Sequence, residues 1–489
     1  MNKLFSLLFK TAQILGFSSV FANDFNKRTE DIQSIKSALD MASGTSYAVI
    51  KNDQIIYEGY LGYADIENQR KVTKDTKFYI ASTTKAIFSL ATLLAESKGD
   101  LAETTNLIEL FPNIKFNNFD AEKITVNHLL THRSGIDNEA FTWAGSWTGI
   151  HDKELRDEFI ATLYPHKSKK IGEFEYTNLG YNVMSVWFEK YYQKDWRETV
   201  SEFVLKPLGM KSTSGYMSDI EKFGWEFAEP YSYKYKSGNE KVYLRKDDKT
   251  MYSIGMVSNV SDVAKFVIAE LNHGKYMGKQ VFPSEVILKS QKKQADNYSW
   301  GWQTSIYEGQ EERYHTGGFV GTSALISFLP QKKIGVVVLQ NESGLRGNVL
   351  GGIIKDLVYQ TLLGKTELEI QAKISKDVDW LKQSYPLALT KVQDELNHHE
   401  NTVITSYSNL KNYLGEYHNP LAGKIVIYKD SEHTNHIQWG NLRGKLFGSD
   451  EKHTGLANLR PGKYYPVEFK TNNNQTLGFT INDYYFEKE

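Results

Sequence analysis

The chain contains no cysteine. That excludes disulfide staples, thiol catalysis, thiolate metal sites and a lipid-bearing cysteine behind a leader. It also has almost no net charge, with 58 Lys and Arg against 59 Asp and Glu. A balanced chain offers no basic surplus for nucleic acid or an anionic membrane surface. No segment after the first residues approaches the ~18 apolar residues of a membrane span, so no integral membrane span is expected. Gly-x-Ser-x-Gly is missing too, which excludes the nucleophile elbow of α/β-hydrolases. What is present suits a globular protein with a real core: 40% hydrophobic and 24% charged residues. At 489 residues the chain exceeds one typical domain, and two is the expectation.

The first ten residues, Met1 to Lys10, carry basic charge ahead of an apolar stretch ending Val20-Phe21-Ala22. This reads as a secretory signal over residues 1–22, cleaved after Ala22, and places the mature protein in the periplasm or outside the cell. Lys10 interrupts the apolar run, which leaves an uncleaved amphipathic anchor as the alternative.

Apolar periodicity predicts a helix over Asp31–Ala42, then a hairpin of Ser46–Lys51 and Ile55–Gly62 turning at Asn52-Asp53-Gln54. Helices follow after Ser82, over Val126–Thr131 with Thr125 as cap, over Lys153–Leu163, Asn178–Tyr191 and Trp196–Leu205, and up to His273 behind a Ser261 or Asp262 cap. Strands return over Ser299–Ile306, Arg313–Gly318, Ser323–Phe328 and Ile334–Leu339, and Asn348–Leu363 is a helix. Strands early and late with helices between them predict an α+β fold, one antiparallel sheet flanked by helices. Domain limits follow: 23–365 for this part, 366–404 as a charged helical linker, and 405–489 as a small all-β domain. The strands expected in the last part are Gly415–Tyr417, Lys424–Tyr428, His436–Trp439, Tyr464–Phe469 and Leu477–Ile481, a pattern that suits a barrel.

The chemistry centres on Ser82-Thr83-Thr84-Lys85, where a short apolar segment runs into a helix. Residues three apart share a helix face, so the Lys85 amine reaches the Ser82 hydroxyl. A lysine held in a dry site loses basicity and can take the serine proton. The helix N-terminus would offer N–H groups to a developing oxyanion. Ser-x-x-Lys alone is weak, since it recurs at Ser290…Lys293, Ser408…Lys411 and Ser449…Lys452. Downstream stand Tyr176-Thr-Asn178 before a helix and His315-Thr316-Gly317-Gly318 before a hairpin. Tyr176 could pass a proton to a leaving group, Asn178 could bind a substrate amide, and the His-Thr-Gly strand could supply donors. Copies at Tyr407-Ser-Asn409, Tyr417-His-Asn419 and His453-Thr-Gly455 crowd into the β domain with no matching helix. Order and setting single out the early set.

That set resembles the serine β-lactamase and penicillin-binding-protein superfamily, in the branch holding class C β-lactamases, D-alanyl-D-alanine carboxypeptidases, D-aminopeptidases and esterases. The likeness runs from about Asp31 to Leu363 and includes Ile124–Ile136, Val204–Met210 and Ser253–Phe266. It implies an all-helical subdomain beside the sheet, Ser82 as acylated nucleophile, Lys85 as proton acceptor and Tyr176 as acid/base. It further implies Asn178 as substrate-amide ligand, His315 with Thr316 and Gly317 as the third motif, and Ser82 and Gly318 N–H groups as oxyanion hole. No cofactor or metal is implied. The helical pair His128 and His132 lacks an acid to complete a zinc set. The last domain resembles the lipocalin-like domains appended to some members.

The function expected is hydrolysis of an amide or ester through an acyl-enzyme, on D-amino-acid peptides or amides or short esters. A class C-like β-lactamase is the alternative among enzymes, and an idle binding or scaffold relative the alternative outside them. Two departures bear on this. Ile254 stands where a small residue is frequent, and His315 stands where β-lactamases of this branch carry lysine. A histidine with a reference pKa of about 6.5 favours a substrate carboxylate only when protonated, so that preference is expected to fade from pH 6 to pH 8.

Ser82→Ala is expected to lower turnover of any substrate by several orders of magnitude while the circular dichroism spectrum is kept. Ser290→Ala, Ser408→Ala and Ser449→Ala are expected to stay near wild type, and an inactive Ser290→Ala with an active Ser82→Ala would reassign the motif.

Overall fold

The computed structural model describes residues 23–117, 119–232, 240–242, 248, 255–294, 296–406, 410–448, 453–460, 462–473 and 475–489. The expected leader, Ile254, the Tyr407–Asn409 copy, Ser408 and the Ser449…Lys452 pair lie outside the described residues. The chain forms two compact units. Among the described residues, one joins those of 23–97, 200–231 and 256–385; the other joins those of 98–199, 232–255 and 386–489.

In the first unit, α1 (residues 23–38) leads into β1 (Thr45–Lys51) and β2 (Gln54–Leu61), the expected hairpin with Asn52 at φ +58°. β3 (Gln303–Tyr307), β4 (Gln310–Phe319), β5 (Thr322–Leu329) and β6 (Ile334–Gln340) complete an antiparallel six-stranded sheet in the order β3-β4-β5-β6-β1-β2. Every residue of β5 and β6 is buried. That is why they read as largely apolar runs, broken only by small hydroxyl residues, Gly335 and the terminal Gln340, since helices cover both faces. Gly335 lets Val267 approach, where a Cβ would meet the valine at 2.9 Å. Elsewhere one apolar cluster gathers Phe25, Ile32, Tyr47, Val336, Val338, Ile353, Leu357, Ile370 and Leu381.

Two sequence expectations need correction here. The helix Val260–Leu271 is capped by Asn259, whose side-chain oxygen accepts the Asp262 N–H at 3.0 Å, so Ser261 and Asp262 lie inside the first turn. Ser299 to Trp302 is not strand, because Gly301 adopts φ +76° and turns the chain. The segment expected as a charged helical linker is helical as expected, Glu367–Ser406, with Pro386 inside it.

In the second unit, Thr125 caps the short helix Val126–Leu130 as expected. The helix Leu179–Tyr192 packs on it closely enough that a Cβ on Gly180 would sit 2.1 Å from the Leu129 carbonyl oxygen. Residues Gly415 to Lys488 close an eight-stranded antiparallel barrel. Three of its strands, Leu442–Gly448, Thr454–Arg460 and Tyr484–Lys488, were not anticipated. Their few apolar residues are interrupted by charged residues, glycine or asparagine without a clean period of two, and closure of the barrel decides which face is inside. Tyr417, Ile425, Trp439, Leu446, Phe479 and Phe486 fill the interior. No helix among the described residues is long and apolar enough to cross a membrane.

Ser290, the first copy of the serine motif, has a structural use. It is buried with its Oγ 2.8 Å from the Ile287 carbonyl and 3.2 Å from Glu270 Oε2, which also accepts from Gln291 Nε2 at 2.7 Å. Burial pushes the Glu270 carboxyl from 4.5 up to about 7. The folded chain therefore holds a proton that the unfolded chain releases above 4.5. Stability is full below that pH and is lost as pH rises through about 7. At about 1.4 kcal/mol per pH unit, the swing is about 3 kcal/mol. Glu270→Gln is expected to flatten this slope in urea unfolding at pH 5 and pH 8; an unchanged slope would place the titration elsewhere.

Candidate active site

Tyr79-Ile80 ends a short strand, and the Ile80 N–H is held by the Met256 carbonyl at 2.9 Å. The chain then enters a left-handed conformation at Ala81, φ +45°, which a residue with a Cβ adopts only at a cost of order 1–3 kcal/mol. That kink starts a 3-10 turn, Ala81–Thr83, tied by the Thr83 hydroxyl to the Ile80 carbonyl at 2.7 Å. Ser82 stands half-buried on this turn, and α2 (Thr84–Ser97) continues from it.

Lys85 opens α2 and is fully buried. Its Nζ lies 3.0 Å from Ser82 Oγ. Burial disfavours the ammonium and brings its pKa from 10.5 down to about 7. A large share of the amine is then free to accept the serine proton at neutral pH.

β4 brings the third motif alongside. His315 and Gly317 face the buried side, Thr316 and Gly318 the exposed side. Gly317 is required by proximity: a Cβ there would stand 2.3 Å from the Ile80 carbonyl oxygen. Gly301 meets the same turn from another direction, where a Cβ would be 2.6 Å from the Lys85 carbonyl oxygen. Thr316, Gly317 and Gly318 also border a cleft of about 330 Å³, closed by Asn348, Gly351 and Lys355 of the helix Leu345–Leu362.

His315 differs from its sequence reading. It is 1% exposed, its Nδ1–H donates to the Thr316 carbonyl at 2.7 Å, and its Nε2 accepts from the Tyr298 hydroxyl at 3.2 Å. Burial first, then the positive charge of Lys85, pushes its pKa from 6.5 down to about 3. The ring is neutral at every working pH, so the expected fading of charge between pH 6 and pH 8 is corrected: no charge is present to fade.

Tyr176 and Asn178 belong to the second unit. Tyr176 is 39% exposed and rests on His132, with ring centroids 4.4 Å apart. His132 is buried at φ +59°; its Nδ1 accepts the Thr177 N–H at 3.3 Å and its carbonyl accepts the Glu175 N–H at 2.8 Å. His132 thus fastens both sides of Tyr176, a role sequence reasoning missed. His128 is spent differently, its Nδ1 accepting the Thr125 N–H in the cap of its own helix. The pair serves two separate tasks. Asn178 begins the helix Leu179–Tyr192, with its Nδ2 at 3.4 Å from Ser146 Oγ. The structure therefore gathers Ser82, Lys85, His315, Thr316, Gly317 and Gly318 in one unit, and Tyr176 and Asn178 with His132 in the other.

Gly317→Ala is expected to force the strand off the Ser82 turn. The cost should be about 1–3 kcal/mol of stability by urea unfolding, with slower labelling of Ser82 by a fluorophosphonate. Unchanged stability and labelling would mean the strand does not brace the turn.

The Beta-lactamase family profile matches residues 34–356. Among curated proteins, the chain is 26% identical over 426 residues to Unguisins hydrolase ungD' of Aspergillus campestris (strain IBT 28561), covering 81% of this chain and 77% of that one. It is 27% identical over 309 residues to Protein flp of Staphylococcus aureus (strain MW2), covering 61% and 59%. Among solved structures, the octameric penicillin-binding protein homologue from Pyrococcus abyssi shares the fold at TM-score 0.60 and 23% identity, over 94% of this chain and 99% of that one. D-amino acid amidase from Ochrobactrum anthropi SV3 shares it at TM-score 0.55 and 20% identity, over 68% and 98%. With two thirds of its length matched by the family profile, the chain belongs to the β-lactamase family and is a serine hydrolase.

Proposed function

We propose that the chain hydrolyses amides or esters through an acyl-enzyme on Ser82. The observation that carries this reading is the fully buried Lys85 amine at 3.0 Å from the Ser82 hydroxyl. Ser82 Oγ attacks the substrate carbonyl carbon while Lys85 Nζ takes its proton. The Ser82 and Gly318 N–H groups stabilise the oxyanion, and Asn178 binds an amide of the substrate. Tyr176 protonates the leaving amine or alkoxide as the scissile bond breaks. Water then attacks the acyl-enzyme carbonyl and gives its proton to the Tyr176 phenolate, while Ser82 Oγ leaves and takes its proton back from Lys85, so that all three groups are restored. No cofactor enters these steps.

The substrate class we propose is D-amino-acid amides or peptides and short acyl esters. A neutral His315 supports substrates that do not depend on a carboxylate beside the scissile bond. Amide hydrolysis is the activity named for the Ochrobactrum enzyme, and hydrolysis that named for the Aspergillus relative. We further propose residues 1–22 as a signal peptide, with a periplasmic or secreted mature protein, and 23–365, 366–404 and 405–489 as hydrolase domain, linker and accessory β domain.

Because Lys85 must be neutral to accept the proton, kcat/KM for p-nitrophenyl butyrate is expected to rise about tenfold from pH 6 to pH 8, with an apparent pKa near 7. A flat profile, or an acid limb above pH 9, would argue against Lys85 as base. His315→Lys is expected to favour nitrocefin over the neutral ester by a factor that does not grow with pH in this range.

A further inference from the structure

The barrel grips the segment on which Asn178 rests. The helix Glu139–Trp143 runs into a wide π-type turn, Ala144–Thr148, and the barrel holds that turn at both ends. At the first end, Trp143 stacks on Trp439 with centroids 4.9 Å apart and planes 12° from parallel, and Tyr465 meets the Trp143 ring edge-on at 5.2 Å. Trp143 is in effect part of the barrel core. At the second end, the Thr148 carbonyl accepts both the Asn441 N–H at 2.9 Å and Asn441 Nδ2 at 3.0 Å. A Cβ on Gly440 would lie 2.3 Å from that oxygen, so the two backbones touch there. Between the ends, the Arg460 guanidinium covers the Trp147 ring at 3.6 Å, a cation–π contact between two half-buried side chains.

The middle of the same turn faces the helix Leu179–Tyr192. Ser146 is 2% exposed, and its Oγ receives Asn178 Nδ2 at 3.4 Å. One residue earlier, a Cβ on Gly145 would come within 2.9 Å of Asn182 Nδ2, one turn along the helix from Asn178. The turn is therefore wedged between the barrel and the start of that helix.

We infer that the C-terminal barrel is a positioning element for the acyl side of the substrate site, acting through Trp143, Ser146 and Thr148 on Asn178. This rests on the proposed role of Asn178 as amide ligand. A helix-start side chain keeps its rotamer only if its neighbours are fixed, and here the fixing comes from residues some 260 to 290 positions later in the chain than Asn178. Asn441 and Arg460 lie outside the catalytic set and grip the turn from the barrel surface.

The test compares two esters with one leaving group: N-acetyl-D-alanine p-nitrophenyl ester, which carries an acyl-side amide, and p-nitrophenyl butyrate, which does not. The double variant Asn441→Ala, Arg460→Met spares the barrel interior. It is expected to lower kcat/KM for the acetylamino ester about tenfold, the scale of one lost hydrogen bond, while the butyrate changes less than about twofold. Ser146→Ala should give the same split. Equal losses on both esters, or no loss on either, would overturn the positioning role. Trp439→Leu is read by hydrogen–deuterium exchange, which needs no turnover. Faster exchange over both 143–150 and 176–182 is expected, and faster exchange confined to the barrel would overturn the coupling. Failure of the parent reading looks different: Asn178→Ala would keep wild-type turnover of both esters.

Discussion

A lysine amine sealed from water against a serine hydroxyl is the constraint on which the first unit depends. The unfolded chain would hold the Lys85 proton up to about 10.5, whereas the folded site releases it near 7. Stability is therefore lowered at every pH below that window and recovered only as pH rises through it. The surroundings bear this cost through close packing. Gly317 and Gly301 let two pieces of backbone press on the turn where no side chain fits, and Ala81 holds a left-handed conformation that sets the serine on its turn. The same sealing keeps His315 neutral, because the ring shares the dry interior with Lys85, and a second cation there would be desolvated and repelled by the first.

The second unit solves a different problem, that of holding polar groups steady on a partly exposed loop. Tyr176 is too exposed to be fixed by burial, so His132 fixes it from beneath by ring contact and from the side through the Thr177 amide. Asn178 has no capping bond of its own to the helix it begins, and its neighbour Ser146 belongs to a turn that the barrel clasps. Aromatic stacking suits that clasp. Trp143 and Trp439 contribute large apolar area with few rotatable bonds, so little entropy is lost when they dock.

Much of this was legible from residue order. The Ser82–Lys85 spacing, the Thr125 cap, the β1–β2 turn and the largely apolar runs of β5 and β6 follow from local rules, since a helix brings i and i+3 together and a doubly covered strand is mostly apolar. Caps read less well where two candidates compete. Asn259 holds the position expected of Ser261 or Asp262, because only Asn259 has the extended backbone that lets its side chain reach forward to the Asp262 amide. The barrel strands interrupted by charged residues and glycine were illegible for a similar reason: which face is inside is a property of the closed sheet.

The sequence by itself determined the chemistry available: a serine and a lysine one helical turn apart, a tyrosine and asparagine before a helix, a histidine where a charge is usual. It could not determine protonation, because a pKa depends on what excludes water, and the groups that seal Lys85 and His315 come from distant strands and helices. Order and setting already set Ser82 apart from Ser290, and the tertiary structure adds a use for Ser290 beside a buried carboxyl while leaving Ser82 half-open next to the Lys85 amine. His132 and Ser146 were decided by the tertiary structure alone. Nothing in their neighbours along the chain marks them, and they act only because folding carries Tyr176 and Asn178 onto them.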